Sequence, residues 1–550
     1  MKIKHLLTAL LLVPAITSAQ TKKAATAPAA ATQIVRPKLV IGLVVDQMRW
    51  DYLFRYYDRY QATGFKRLLN EGFSCDNTNL DYVPTVTAVG HTCVYTGSVP
   101  SITGIAANDF IIQATGKTIY CTDDATVATV GSTSAAGQMS PRNLWVSTVT
   151  DELRLATNFR SKVIGIALKD RGAILPAGHT ANAAYWFDDV SGNWISSTYY
   201  MTDLPDWVKK FNDKKLVAQY LKQDWNTLYP VNTYLQSTED NSPKYEGKFK
   251  GADAPTFPVK TSGGSYGTIR ATPYGNSFTL DMAKAAIENE KLGKTTVTDF
   301  LAVSLSSTDY VGHQFGVNAV ETEDTYLRLD RDLGSFFTYL DSTIGKGNYT
   351  VFLTADHGAA HNTAFLNDHG IPAGVWPISD ITKSLNDYLA NKYEVKNLVL
   401  SLMNYQVNFN YAAIADKKIS EYALKQDCIE FLKKQAGVAY AVDMQAVQTA
   451  TIPEALRMRI INGYNAEHSG AIQIILKSGW FDGHGTTGTT HGTWNPYDTH
   501  IPLLFMGWGI KHGHTNQSTH MTDIAPTVSA LLHIQTPNGN IGVPIEQVIK

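Results

Sequence analysis

Apolar residues gather along this chain in short unbroken runs, not in strict alternation. Lys38–Asp46 reads KLVIGLVVD, and runs of the same character recur at Ser161–Lys169, Asp299–Leu305, Tyr349–Thr354, Ala471–Leu476 and Ile501–Met506. A continuous β-branched run fits a strand covered on both faces, as in a parallel sheet. Helical periodicity falls between several of them, at Gly64–Glu71, Ser147–Asn158, Ser277–Glu290, Glu321–Leu340 and Thr522–Leu532. Strands alternating with helices predict an α/β fold: a mainly parallel central sheet flanked by helices.

Two stretches break the rhythm. Residues 181–270 are rich in Tyr, Trp, Gly and Ser, and residues 386–470 form a mixed block of short helical patterns. Both are expected to be insertions that cap the sheet, dividing the core into 37–180, 271–385 and 471–550. Residues 1–19 carry Lys2 and Lys4, an apolar stretch from Leu6 to Ile16 and small residues before Gln20. That pattern is a secretory signal peptide, and residues 20–36 would follow it as a tether. The expectation is an exported, periplasmic chain.

Composition narrows the classes. With 44% apolar and 17% charged residues the chain is globular, and a net charge of −2 draws it to neither nucleic acid nor anionic lipid. No stretch has the roughly 20 apolar residues of a spanning helix. Cys75, Cys93, Cys121 and Cys428 are an even set in an oxidising compartment, which leaves room for one or two disulfides.

The chemistry sits at strand ends. Asp46, Lys169 and Asp356 each close a predicted strand and Asp309 lies just past one, where ligands of open α/β sheets bind. Asp309 and His313 are four apart, so one helical turn can present both on one face. Asp356 and His357 need a turn straight after their strand, which Gly358 eases. His491 lies in a Gly/Thr-rich loop. Thr87 opens a short helical pattern ending at Thr96, where free N–H groups favour an anionic group; Thr85 is read as the residue of helix entry. Three carboxylates, three imidazoles and one hydroxyl point to a two-metal hydrolase acting on phosphate. His91, His361 and His369 are read as supporting residues.

Val45-Asp46, Thr87, Asp309-x-x-x-His313, Ala355-Asp356-His357-Gly358, His491-Gly-Thr and Asp523-Ile-Ala-Pro-Thr527, in that order, resemble the alkaline phosphatase superfamily, and within it the periplasmic alkaline phosphatases of the PafA type. The resemblance covers most of residues 37–550. It implies an alkaline-phosphatase-like core with two Zn2+ per chain. Asp309, His313 and His491 would hold one, and Asp46, Asp356 and His357 the other, with Thr87 bridging towards substrate. It favours His491 over His484 as ligand. It also assigns Asn108, Lys169 and Arg171 to the phosphate of a monoester, cleaved through a phosphothreonine at Thr87. Charge agrees: two dications balance three aspartates and a threonine alkoxide, so Lys169 and Arg171 remain for the dianion of a monoester. The implied enzyme acts on small phosphate monoesters, as a monomer.

Several rivals are weighed against this. A nucleotide pyrophosphatase or phosphodiesterase of the same superfamily would use the same metals and threonine, but would use Lys169 and Arg171 poorly. A sulfatase would need a modified Cys or Ser with a Pro and Arg pattern that Thr87-Ala-Val lacks. A phosphoglycerate mutase relative would be cytoplasmic. A catalytically dead binding protein would have no call for the intact Thr87.

Overall fold

Four strands carry their chemistry to one edge because their registers bring their carboxyl ends level. In the computed structural model, which describes residues 35–483 and 487–550, Val45 pairs with Leu305, Val44 with Thr354, and Ser304 with Ala167. The strands Tyr349–Thr354, Leu39–Val45, Asp299–Leu305, Val163–Ala167 and Ala183–Asp188 lie side by side in that order, all parallel. Every residue of the five is buried, as expected of strands sandwiched between helical layers. Shorter strands extend this core into a mixed sheet of ten. Leu503–Gly507 runs antiparallel to Tyr349–Thr354, followed by Phe73–Cys75 and Gly513–Thr515; Asn193–Ser197 and Thr129–Val130 close the other side. The flanking helices include Phe65–Glu71, Val149–Ala156, Tyr274–Asn289, Val320–Leu340 and Ile524–Leu532, within a few residues of the sequence patterns.

Two boundaries fall elsewhere than expected. Residues 181–270 are not wholly a cap, because Ala183–Asp188 and Asn193–Ser197 belong to the main sheet. Their bulky aromatics, Trp186 and Trp194 among them, pack as core. Ile472–Leu476, whose apolar run resembles a central strand, lies instead in a separate four-stranded antiparallel sheet with Val399–Ser401, Gln406–Phe409 and Val438–Asp443. That sheet has its own apolar core of Trp376, Leu385, Leu389, Leu424, Cys428 and Leu432. A pairing of Gly374–Trp376 with Trp480–Asp482 closes the accessory lobe, which therefore spans about 374–482 instead of 386–470. Helix periodicity and apolar content cannot tell which sheet a buried strand joins.

The signal-peptide residues 1–19, nearly all of the tether and His484 lie outside the described residues. Among the described residues no helix is long and apolar enough to cross a membrane.

The cysteines correct a third expectation. All four are free and buried, with no disulfide. Cys121 packs beside Phe110 in a satellite cluster and Cys428 in the accessory lobe, so neither has a partner at bonding distance. Burial pushes the thiols of Cys75 and Cys428 up to about 12, and those of Cys93 and Cys121 higher still. Inert thiols follow. A thiol-reactive chromophore should label none of them in the native protein and four per chain after unfolding without reductant; fewer than four would mean that a disulfide exists.

Candidate active site

Each candidate ligand is placed by the way its strand ends. Asp46 leaves the Leu39–Val45 strand, and the next residue, Gln47, takes φ 65°, turning the chain so that its backbone N–H donates to Asp356 Oδ1 at 3.1 Å. Gln47 Nε2 also donates to Asp309 Oδ1 at 2.6 Å. The side chain fits because Gly312 faces it; a Cβ there would collide with Gln47 Oε1. The helix Ser307–Phe315 starts directly after its strand and sets Asp309 and His313 one turn apart, with Nε2 of the histidine 3.1 Å from Asp309 Oδ1. The turn expected after Asp356 is present: Gly358 N–H donates to Asp498 O, and Asp356 and His357 face one another, Oδ2 to Nε2 at 3.4 Å. His491 comes in from its loop, with Nε2 3.6 Å from Asp309 Oδ1 and its ring stacked on His357 at 3.5 Å between centroids.

These residues form two clusters, Asp309–His313–His491 and Asp46–Asp356–His357, in each of which the potential ligand atoms lie within 4.8 Å of one another. Their chemistry fits a cation pair. The three imidazoles place Nδ1 2.8–2.9 Å from backbone carbonyls, His313 to Thr489, His357 to Gly358 and His491 to Thr85, which leaves each Nε2 lone pair facing the cluster. Asp46 Oδ1 and Asp356 Oδ2 are buried and accept no hydrogen bond, an expensive state without a cation.

Electrostatics show the same tension. Burial, with Asp356 beside it, holds the carboxyl of Asp46 well above its ordinary range. Burial works the same way on Asp309 and Asp356, but the neighbouring histidines and Lys169 outweigh it and keep both low. Burial also lowers His357 and His491, favouring their neutral, metal-binding form. His313 goes the other way, because Asp309 outweighs its burial.

Lys169 lies at the junction. It is buried, its ammonium sits 2.7 Å from Asp46 Oδ2 and 2.6 Å from Asp309 Oδ2, and burial fails to discharge it against two such partners. Thr87 Oγ1 lies 3.4 Å from that ammonium and 3.5 Å from His357 Nε2. Thr87 is the first residue of the helix Thr87–Thr96, which approaches Asp356 closely because Gly90 leaves room that a Cβ would fill. Neither threonine caps this helix. The flanking residue is Val86, and the Thr85 hydroxyl donates to Thr493 O at 2.8 Å. Asn108 Oδ1 accepts the N–H of Ala88 at 2.9 Å, so the Asn108 side chain is tied to the first turn of the Thr87 helix. Arg171, in the first turn of the helix Asp170–Ala177, donates from Nη1 to Tyr120 OH at 2.9 Å.

Sequence reading missed two participants, Gln47 and Tyr120, and named His91 without its partners. Gln47 joins the two clusters, and only its place beside Asp46 could have flagged it. His91 was read as supporting without a partner; its Nδ1 lies 2.9 Å from Thr87 O and 3.3 Å from Asp356 Oδ2, and its Nε2 2.8 Å from Ser304 Oγ. Tyr120 carried no motif at all. His361 and His369 are, as read, supporting residues, with Nδ1 near Asn318 Oδ1 and Phe365 O.

Known proteins resemble this chain in sequence and fold. Residues 40–498 match the family described as Type I phosphodiesterase / nucleotide pyrophosphatase. The chain is 54% identical to alkaline phosphatase PafA of Elizabethkingia meningoseptica (94% of this chain, 95% of the other) and 55% identical to alkaline phosphatase PhoV of Synechococcus elongatus over the full length of both. A protein of Myroides odoratus named calcium-transporting ATPase is 60% identical, over 95% of this chain and 96% of the other. The crystal structure of wild-type PafA superposes with a TM-score of 0.92 at 54% identity, covering 94% of this chain and all of that one. The chain belongs to the type I phosphodiesterase / nucleotide pyrophosphatase family of the alkaline phosphatase superfamily, on its PafA-like branch.

His91 yields a test independent of turnover. Replacing it by leucine leaves Ser304 Oγ and Thr87 O without that partner, a loss of about 1–3 kcal/mol for buried polar groups. His91→Leu should therefore shift the urea unfolding midpoint down at unchanged slope; an unshifted midpoint would show that the imidazole holds nothing together.

Proposed function

We propose that this chain is an exported alkaline phosphatase that hydrolyses a broad range of phosphate monoesters on Thr87 with two Zn2+ bound. The observation that carries the reading is the position of Lys169, a buried ammonium in contact with a carboxylate from each cluster and 3.4 Å from the Thr87 hydroxyl. Asp309, His313 and His491 would hold one zinc, and Asp46, Asp356 and His357 the other; carboxylate and imidazole donors suit that ion. Bound there, the pair supplies Lewis acidity to the Thr87 oxygen and to the departing oxygen of the ester.

The chain's own groups do the remainder. Thr87 Oγ1 forms a bond to phosphorus as the ester oxygen leaves, and the hydroxyl proton ends on the released alcohol. Water then cleaves the phosphothreonine, returning Thr87 and inorganic phosphate. The positive end of the Thr87 helix favours the phosphoryl oxygens electrostatically. Asn108, fixed against Ala88, offers its amide N–H groups to the same oxygens, and Arg171 a planar fork. Two dications against three aspartates and one threonine alkoxide sum to zero, so Lys169 and Arg171 stand against the second charge that a monoester carries and a diester lacks.

The family description favours a second reading, diester or pyrophosphate hydrolysis on the same threonine. The identity with PafA and PhoV, both named alkaline phosphatases, weighs towards monoesters.

Exhaustive chelation should abolish p-nitrophenyl phosphate hydrolysis and zinc should restore it better than magnesium; full activity in the metal-free protein would sink the two-metal reading. Thr87→Ala should lose several orders of magnitude in turnover with its metal content kept, and Thr87→Ser should retain part. Substrate class is tested on matched aryl monoester and methyl diester. Lys169→Ala and Arg171→Ala should each cost the monoester about 10²–10³ in rate, by analogy with oxyanion-hole donors, and the diester much less. Equal losses on both would move the phosphodiesterase reading to first place.

A further inference from the structure

Arg171 is held by a neutral group. Residues Asp109–Ile112 and Lys117–Tyr120 form an antiparallel hairpin in which Asp109 pairs with Tyr120, and Cys121 N–H donates to Asn108 O at 2.8 Å. The hairpin therefore returns Tyr120 to the side of Asn108. There the Tyr120 hydroxyl donates to Asp170 Oδ1 and accepts from Arg171 Nη1 at 2.9 Å, while Arg171's own N–H also donates to Asp170 Oδ1. Among the described residues the guanidinium makes no other hydrogen bond and no ion pair with an acid, and its Nε is buried without an acceptor.

A carboxylate bound directly to Arg171 would neutralise it and compete with phosphate. A phenol fixes one arm without taking the charge and leaves the other donors free. Because that phenol donates into Asp170, its oxygen is the better acceptor for Arg171. The hairpin is gripped from its far side by the accessory lobe. Asn404 Nδ2 donates to Asp109 O at 2.8 Å, Gln113 N to Glu467 O at 2.8 Å, and Gln113 Nε2 to Asn408 Oδ1 at 3.0 Å.

We infer that Tyr120 is the positioning residue for Arg171, and that the hairpin, braced by the accessory lobe, sets Asn108 and Arg171 together as the part of the site that discriminates monoesters from diesters. This rests on the reading of Arg171 as a phosphoryl-binding group.

The test is a double-mutant cycle on p-nitrophenyl phosphate and methyl p-nitrophenyl phosphate, with melting temperature and metal content measured for each variant. Tyr120→Phe keeps the ring beside Arg171 and should lower kcat/KM for the monoester about tenfold, the effect of losing one hydrogen bond to a charged group, and for the diester less than about twofold. In an Arg171→Ala background the same substitution should change the monoester rate by less than about twofold, because nothing remains to position. Asp170→Asn should show the same substrate bias more weakly. Equal losses on both substrates, or an undiminished loss in the Arg171→Ala background, would overturn the inference while leaving the monoester reading intact. An Arg171→Ala single variant that spares monoesters would overturn both.

Discussion

Three buried aspartates near enough to repel one another set the terms for everything near the active edge. Asp46, Asp309 and Asp356 sit at the ends of neighbouring parallel strands, with no bulk water to screen them. Such charges are tolerated only when paired. Lys169 provides one positive charge and is shared between two of the three. Gln47 provides donors to the third and across the clusters, its backbone N–H to Asp356 and its amide to Asp309. One ammonium against three carboxylates leaves a deficit, and the two unpartnered oxygens of Asp46 and Asp356 mark where it falls. The site is built around charge that it does not itself supply, which is the physical basis for reading it as a cation pair.

That constraint explains the neutral fastening of Arg171. Had Asp170 paired directly with the guanidinium, the local charge would be spent before substrate arrived. Placing the Tyr120 hydroxyl between them keeps Arg171 oriented and charged. Lys169 and Arg171 thus differ in their partners here: the first contacts two aspartates, the second a phenol.

Much of this was legible in the chain. An apolar run ending in Asp46, the four-residue spacing of Asp309 and His313, and the Asp356-His357-Gly358 turn each state a local geometry, and local geometry is what sequence patterns encode. Convergence at one sheet edge was legible from the strand-end placement of Asp46, Lys169 and Asp356, but the pairing of ligands into two sites came only through the resemblance, since strand order and register are long-range facts. Tyr120 and Gln47 escaped because one acts from a hairpin and the other through a backbone turn. The accessory lobe was misdrawn for a related reason. Ile472–Leu476 has the composition of a central strand, and only its antiparallel partners reveal otherwise. The aromatic residues around Trp186 and Trp194 misled in the opposite sense, since a large ring can fill a sheet's core as well as decorate a cap.

The spread of the ligands along the chain also governs when the site comes into being. The cluster of Asp46, Asp356 and His357 is complete once the chain has passed His357, but that of Asp309, His313 and His491 waits for nearly the whole length. During synthesis, or after a truncation, one half of the centre can form without the other. Long-range pairings of this kind are slow to close and come late in folding. No nascent fragment ending short of His491 carries both clusters.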